Sequence, residues 1–386
     1  MSGSIIRRGK KSWRVKFDAG RNPDGTRATR YLTVKGTRDD AKKALTDALH
    51  SVQHGTFVDP SKLTVGEFLE KWLTDYAASS MSGKTFERVA EIVRRHLVPA
   101  LGAIKLRDLK PLDIQGHYGK ALASGRLDGK GALSANSVRA QHVQLKAALD
   151  RAIKWRLLAI NPAAAVDPPK VHRGEIKVLD DVELAKLLRE AQSSPNFTAY
   201  LLAATTGMRR GEVCGLRWCD VDFGSNTGAK LTVNQSLEET RKGLAFKAPK
   251  TKSSRRTISL PTFTVEALRK HRTKQAEDRL ALGLGRDDTA LVFSLPTGEP
   301  IQPLSLTVEF GRIVKLTKVR RITLHGLRHS HATSLLRAGV NPKVVSERLG
   351  HASVATTLSL YAAVLPDMQT EAATRVDAIL RRTLGE

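Results

Sequence analysis

The chain has 386 residues, 64 Lys and Arg against 38 Asp and Glu, a formal net charge of +26, and 41% hydrophobic content. That apolar fraction excludes wholesale disorder, and the length supports two or three domains with their own cores. No apolar run approaches the ~20 residues of a membrane helix, and two cysteines, Cys214 and Cys219, exclude a disulfide framework and fit a reducing cytoplasm.

The first eight residues lack an apolar core and a cleavage site, so no signal peptide is expected and a cytoplasmic location is. Positive charge spread over the whole chain points to a polyanionic partner, with nucleic acid first.

From Ser4 to about Val52, Ile5-Ile6 and the alternating Trp13, Val15 and Phe17 read as strands. Asn22-Pro23-Asp24-Gly25 reads as a turn, because Pro presets the backbone and Gly supplies positive φ. Arg27–Val34 reads as a third strand, and Thr37 as the cap of a helix over Arg38–His50. Residues 1–52 hold 13 Lys and Arg against 5 Asp and Glu. The bland reading is a solvated basic surface on an accessory domain. Because Arg14 and Lys16 alternate with apolar residues and share one sheet face, a DNA-binding module is favoured. Its candidate contacts are Arg7, Arg8, Lys10, Lys11, Arg14, Lys16, Arg27 and Arg30.

Thr64-Val65-Gly66-Glu67 has capping-box form and opens a helix carrying Phe68, Leu69, Trp72, Leu73 and Tyr76. Phe86, Val89, Ile92 and Val93 repeat at helical spacing, with Pro99 and Gly102 expected to end that helix. Leu109–Ile114 starts another, and Ser137–Trp155 forms the last, with Val138, Leu145, Leu149, Ala152 and Ile153 on one side. The segment reads as an all-α bundle whose aromatics belong to the core. Asn161–Gly174, with Pro162, Pro168 and Pro169, reads as a linker.

Asp180-Asp181-Val182-Glu183 caps a helix that turns Leu184, Leu187, Leu188 and Ala191 inward. Beyond it the chain reads as mostly helical, except for a short sheet over about Leu231–Leu260 with a hairpin at Lys250–Arg256.

Four segments of this region belong together: Thr206–Glu212, Pro249–Arg256, Leu324–His329 and Leu349-Gly350-His351, with Tyr361 ten residues after His351. Singly, each has a plainer reading as a solvated Arg, a basic turn, a structural His or a packing Tyr. Together they suit a phosphodiester transition state, whose non-bridging oxygens are bound bidentately by planar guanidinium groups. The spacing His325-x-x-Arg328 puts imidazole and guanidinium on one helix face, and Arg209 and Glu212 share that spacing. No carboxylate pair accompanies the basic motifs, so two-metal chemistry is disfavoured. There is no Walker loop for ATP, and zinc at His325, His329 and His331 lacks a further ligand.

These motifs resemble those of the tyrosine recombinase (phage integrase) family. The resemblance spans about Val178 to Leu365, extends to the family's core-binding domain over 64–165, and includes an arm-binding domain over 4–52. It implies a mainly α, multidomain fold. A small three-stranded sheet plus helix forms an arm-type DNA-binding domain (1–58). An all-α, SAM-like core-binding domain follows (62–165). A mixed, mostly α catalytic domain with a small sheet completes the chain (175–386). It further implies that Arg209 and Arg328 clamp the scissile phosphate, and that His325 acts in proton transfer or phosphate binding. His351 would bond the phosphate, and Tyr361 would be the nucleophile. Lys250 would be the general acid, with Lys252 on the same turn as its rival, and Glu212 would support Arg209. The implied activity is cutting and rejoining of DNA through a 3′-phosphotyrosyl intermediate, without cofactor or metal, to integrate and excise a phage or mobile element. The implied partners are double-stranded attachment sites, a homotetramer on DNA, a DNA-bending host factor and an excision factor. The rival readings are a chromosome- or plasmid-resolving recombinase, a type IB topoisomerase, and a DNA-binding regulator that never cuts.

Overall fold

The computed structural model describes residues 3–21, 26–53, 62–171, 174, 177–224, 228–249, 254–285, 287–358 and 368–384. The chain forms two compact units, residues 1–172 and 173–386. No helix among the described residues is long and apolar enough to cross a membrane.

The first unit begins with an antiparallel meander of β1 (Gly3–Gly9), β2 (Ser12–Arg21) and β3 (Arg27–Lys35), followed by α1 (Arg38–Gln53). Ile5, Val15 and Leu32 are in register across the three strands. With Phe17 they pack against Ala41 and Ala48 of α1, so the period-2 pattern becomes one buried sheet face. Thr37 Oγ1 accepts from the Asp40 amide at 3.2 Å, and the Asp40 carboxylate accepts from the Thr37 amide at 2.7 Å, which fixes where α1 starts. The turn expected at 22–25 lies outside the described residues.

Residues 62–171 form a helical bundle around Phe68, Leu69, Trp72, Leu97, Ile114, Tyr118, Leu145 and Leu149. Its first helix, α2 (Val65–Trp72), opens on the expected capping box. The Glu67 amide donates to Thr64 Oγ1 at 3.2 Å, and the Thr64 amide donates to Glu67 Oε2 at 2.8 Å. The helix that opens with α3 (Gly83–Ile92) ends at Gly102, as expected, with Pro99 in its last turn. A π turn over Val93–Leu97 widens the helix, so Pro99 enters the first turn of a short continuation to Leu101. Helices α4 (Pro111–Ser124) and α5 (Ala135–Lys154) complete the bundle. The expected linker starts later than the sequence suggests. The Asn161 amide bonds to Lys146 O and Asp150, and Ala163 and Val166 are buried in the bundle core.

The second unit starts with α6 (Asp181–Ala191), capped by Asp180, which accepts from the Glu183 amide at 2.8 Å. The largely buried α7 (Phe197–Thr206) and the short α8 (Arg210–Cys214) follow. The one sheet expected here is two. Strands β4 (Val221–Asp222), β5 (Lys230–Thr232) and β8 (Thr257–Ser259) form one antiparallel sheet. A separate hairpin of β6 (Ser236–Thr240) and β7 (Gly243–Lys247) is inserted between β5 and β8. Then come α9 (Thr262–Ala281), α10 (Pro303–Thr317), α11 (Leu324–Arg337) and α12 (Pro342–Leu349). α11 packs on α7, while Ala332 and Leu336 of α11 meet Val345 and Leu349 of α12. The last helix, α13 (Met368–Leu384), exposes Val376, Ile379 and Leu380.

Candidate active site

Arg209 is placed differently from the sequence expectation. It is not inside a helix but is the N-cap of α8, with extended backbone (φ −73°, ψ 151°). The i, i+3 partner still reaches it. Glu212 Oε2 accepts from the Arg209 amide at 2.9 Å, and Oε1 accepts from Arg209 Nη1 at 2.9 Å. Arg209 Nη2 donates to Gly350 O at 3.3 Å, tying the first arginine motif to the His351 loop. The Arg209 side chain keeps 40% of its surface open, enough to meet a ligand.

Glu212 is shared. Arg256, at the edge of β8, donates Nη2 to Glu212 Oε2 at 2.8 Å and Nη1 to Oε1 at 3.1 Å. Both side chains are almost fully buried. Burial alone would raise the Glu212 carboxyl, but its bonds to Arg256 and Arg209 outweigh this and hold it below its ordinary value. Arg256 also donates Nε to Arg348 O at 2.7 Å, in the last turn of α12. Arg348 in turn donates Nε to His331 Nε2 at 3.1 Å and Nη2 to Thr205 O at 3.0 Å. The sequence reading gave no role to Arg256 or Arg348. These partners lie 17 to 143 residues away, so no local spacing could reveal them.

Arg328 and His325 project from the first turns of α11, whose N-terminus Thr323 caps by accepting from the Gly326 amide. Arg328 is buried, with Nη1 donating to Gly207 O at 2.7 Å, while its buried Nη2 has no hydrogen-bond partner among the described residues. Burial, then the charges of Arg209 and Arg256, push its guanidinium down to about 9, so it stays protonated at neutral pH. Gly207 ends α7 in the left-handed region at φ +66°. A Cβ there would lie 2.4 Å from Leu349 Cδ2 and 3.0 Å from His331 Cδ2, so only glycine lets these segments close up.

His325 remains exposed and meets His329 edge-on, ring centroids 4.9 Å apart. Partial desolvation, then His329, Arg328 and Arg209, push His325 down to about 4. His351 follows the αL cap Gly350, and its Nδ1 lies 2.8 Å from Thr357 Oγ1. Partial desolvation, then Arg328 and Arg209, push it down to about 4 as well. Both imidazoles are therefore neutral at pH 7, one able to accept a proton and the other to donate a hydrogen bond without adding charge.

Lys250, Lys252 and Tyr361 lie outside the described residues, as do residues 250–253 of the hairpin expected at Lys250–Arg256. Among the described residues no three His, Cys, Asp or Glu side chains converge as a metal site, the histidines 325, 329 and 331 included. A cleft of about 650 Å³ runs beside the cluster, lined by Arg255, Arg256, Arg348 and His351. The larger cavities, about 750 and 900 Å³, lie along α9.

Of the N-terminal candidates, the strand pleat separates some from others. Arg14 and Lys16 share the outer face with Ile6 and Tyr31, and the Arg14 guanidinium stands 5.7 Å from the Tyr31 ring centroid. Arg7 and Arg30 alternate to the other face, Arg7 lying 5.9 Å from the Trp13 ring. Arg8, Lys10 and Lys11 are exposed at the β1–β2 end. The Arg27 side chain lies outside the described part.

Two family models match this chain: the phage integrase family over residues 177–368, and the phage integrase N-terminal SAM-like domain over 64–121. The chain belongs to the phage integrase family of tyrosine recombinases. It is 28% identical to a tyrosine recombinase XerC-like protein of Caldanaerobacter subterraneus subsp. tengcongensis, covering 96% of each chain. It is also 28% identical to an integrase of Streptomyces ambofaciens, covering 97% of this chain and 95% of that one. Its fold is similar to that of the Tn1549 transposon integrase in complex with a circular intermediate DNA (TM-score 0.65, 23% identity, 81% of this chain and 99% of that one). It is similar, too, to that of a lambda integrase dimer bound to a core site (TM-score 0.57, 20% identity, 92% and 93%).

Proposed function

We propose that this protein is a site-specific DNA recombinase of the integrase type, cutting and rejoining attachment-site DNA through a covalent phosphotyrosine. The observation that carries the reading is the pairing of Arg209 and Arg256 with one carboxylate, Glu212, with the buried Arg328 within electrostatic reach of all three, beside two neutral imidazoles. Three guanidinium groups against one carboxylate leave an excess of positive charge that suits a phosphodiester.

Arg209 and Arg328 then hold the non-bridging oxygens, with His351 as a third donor. The Tyr361 phenol, with an ordinary pKa of ~10, needs both a cationic site and a proton acceptor, and His325 fills the second role. The phenolic oxygen bonds to phosphorus and the P–O5′ bond breaks. The departing 5′ oxygen takes a proton from Lys250, or from Lys252 on the same turn. The 3′-phosphotyrosine keeps the bond energy, so a 5′ hydroxyl from a second duplex reverses the step without ATP.

A nicked suicide substrate tests this directly. Wild type accumulates a covalent 3′ adduct, and Tyr361→Phe binds the same DNA without one. An adduct in the Phe variant would assign the nucleophile elsewhere.

The domain roles belong to the same reading: an arm-type DNA-binding module over 1–58, a core-binding domain over 62–165 and the catalytic domain over 175–386. Arg14, Lys16 and Tyr31 on one sheet face support the first of these. Footprinting checks it. Protein starting near Lys62 still cleaves isolated core DNA but loses a set of distant protected sites, with a log–log salt slope of about −0.9 per phosphate neutralised in those contacts. Identical footprints would reduce residues 1–58 to an accessory surface. We also infer a homotetramer on DNA, with a host bending factor and an excision factor acting on the assembly. The exposed Val376, Ile379 and Leu380 of α13 support docking on a neighbouring copy. Sedimentation of wild type and Ile379→Asp on a paired-site substrate decides this, since an unchanged assembly would remove α13 from it.

A further inference from the structure

Thr357 is fully buried in the helical turn 354–358, four residues before Tyr361. A hydroxyl in such a place needs a partner. Among the described residues its hydrogen bond is with His351 Nδ1, at 2.8 Å. Two assignments satisfy the distance. If the imidazole donates from Nδ1, the hydroxyl hydrogen is left without an acceptor among the described residues. If the hydroxyl donates, both groups are satisfied and the ring proton sits on Nε2. His351 is uncharged at neutral pH, so it carries one ring proton, and its position decides whether Nε2 offers a donor or a lone pair. A lone pair aimed at an anionic phosphate oxygen repels it.

We propose that Thr357 is a positioning residue, whose hydroxyl fixes His351 as the Nε2–H tautomer and aims that proton at the scissile phosphate. The proposal rests on the reading of His351 as a phosphate ligand. It also makes one buried hydroxyl the link between that ligand and the segment bearing the nucleophile.

The test uses full-length protein labelled with 15N-histidine, the His351 signal being assigned by its loss in His351→Gln. Wild type at pH 7 shows the Nε2–H pattern. Thr357→Val, equal in shape, loses that pattern and cleaves a suicide substrate slower by on the order of 10²-fold, with site binding unchanged. Thr357→Ser restores both the pattern and the rate. An Nδ1–H pattern in wild type overturns the proposal, whether or not the Val variant folds. A slow Val variant that keeps the wild-type tautomer overturns it too, since the loss then comes from packing. If instead His351→Gln cleaves as fast as wild type, it is the phosphate-ligand reading that fails, whatever the spectra show.

Discussion

The helical bundle and the catalytic unit bury their polar groups in opposite ways. In the bundle the buried polar side chains are Gln141, His142 and Asn161, and each is paired: Gln141 with His117 at 2.8 Å, His142 with the Tyr118 hydroxyl at 3.1 Å, Asn161 with Lys146 O and Asp150. Trp72 Nε1 is the one buried side-chain donor there without a partner among the described residues. The catalytic unit instead buries Glu212, Arg256, Arg328 and His331, and leaves Arg328 Nη2, His329 Nδ1 and Thr333 Oγ1 unpaired among the described residues. The bundle is organised for stability. The catalytic unit holds like charges together and leaves donors unspent, as a site built to meet an anion does.

That contrast can be broken most sharply at Arg328. Arg328→Met should slow cleavage by ~10²–10³, the usual effect of removing a donor to developing charge. Its melting temperature should match or exceed wild type, because repulsion with Arg209 and Arg256 is relieved. A fall of several degrees would make Arg328 a structural residue. The bundle should answer in the opposite way. Leu145 is fully buried, and Leu145→Ala should cost about 2–5 kcal/mol in denaturant unfolding. Folded protein at low temperature should keep its cleavage rate. A large rate loss without loss of stability would place chemistry in the bundle.

The smallest effect concerns pH. His331 accepts from Arg348 through Nε2, and burial, then the Arg348 and Arg328 charges, push it down to about 4. The folded value lies below the ordinary ~6.5, so protonation favours the unfolded chain. Its contribution to stability is complete above pH ~6.5 and is lost as pH falls through about 4. His331→Gln should flatten the melting-temperature curve in that window. An unchanged slope would assign the acid sensitivity to other groups.

What the sequence made legible follows the range of the interaction. The helix starts at Thr64 and Asp180 depend on partners three residues away, and both stand where the pattern put them. The pairing of Arg209 with Glu212 is equally local, although the backbone at Arg209 is a cap and not a helix. Arg256, Arg348 and Thr357 escaped notice for two reasons. The two arginines act across distances no motif spacing encodes. The Thr357 contact, only six residues long, depends on the αL turn at Gly350 to swing His351 back toward it. The π turn at Val93–Leu97 escaped because it leaves the apolar pattern nearly intact and shifts only its phase. Pro99 was its visible symptom, and it was read, with Gly102, as the end of the helix.

Gly207 carries a consequence for how this sequence can diverge. Its carbonyl serves Arg328, and its missing side chain makes room for Leu349, two residues before His351. The arginine motif and the histidine loop therefore cannot drift independently. A descendant that gains a methyl group at 207 inherits a collision with the leucine as well as an unfavourable backbone. It survives only if position 349 shrinks in the same lineage. The two positions, 142 apart in the chain, should vary as one heritable unit.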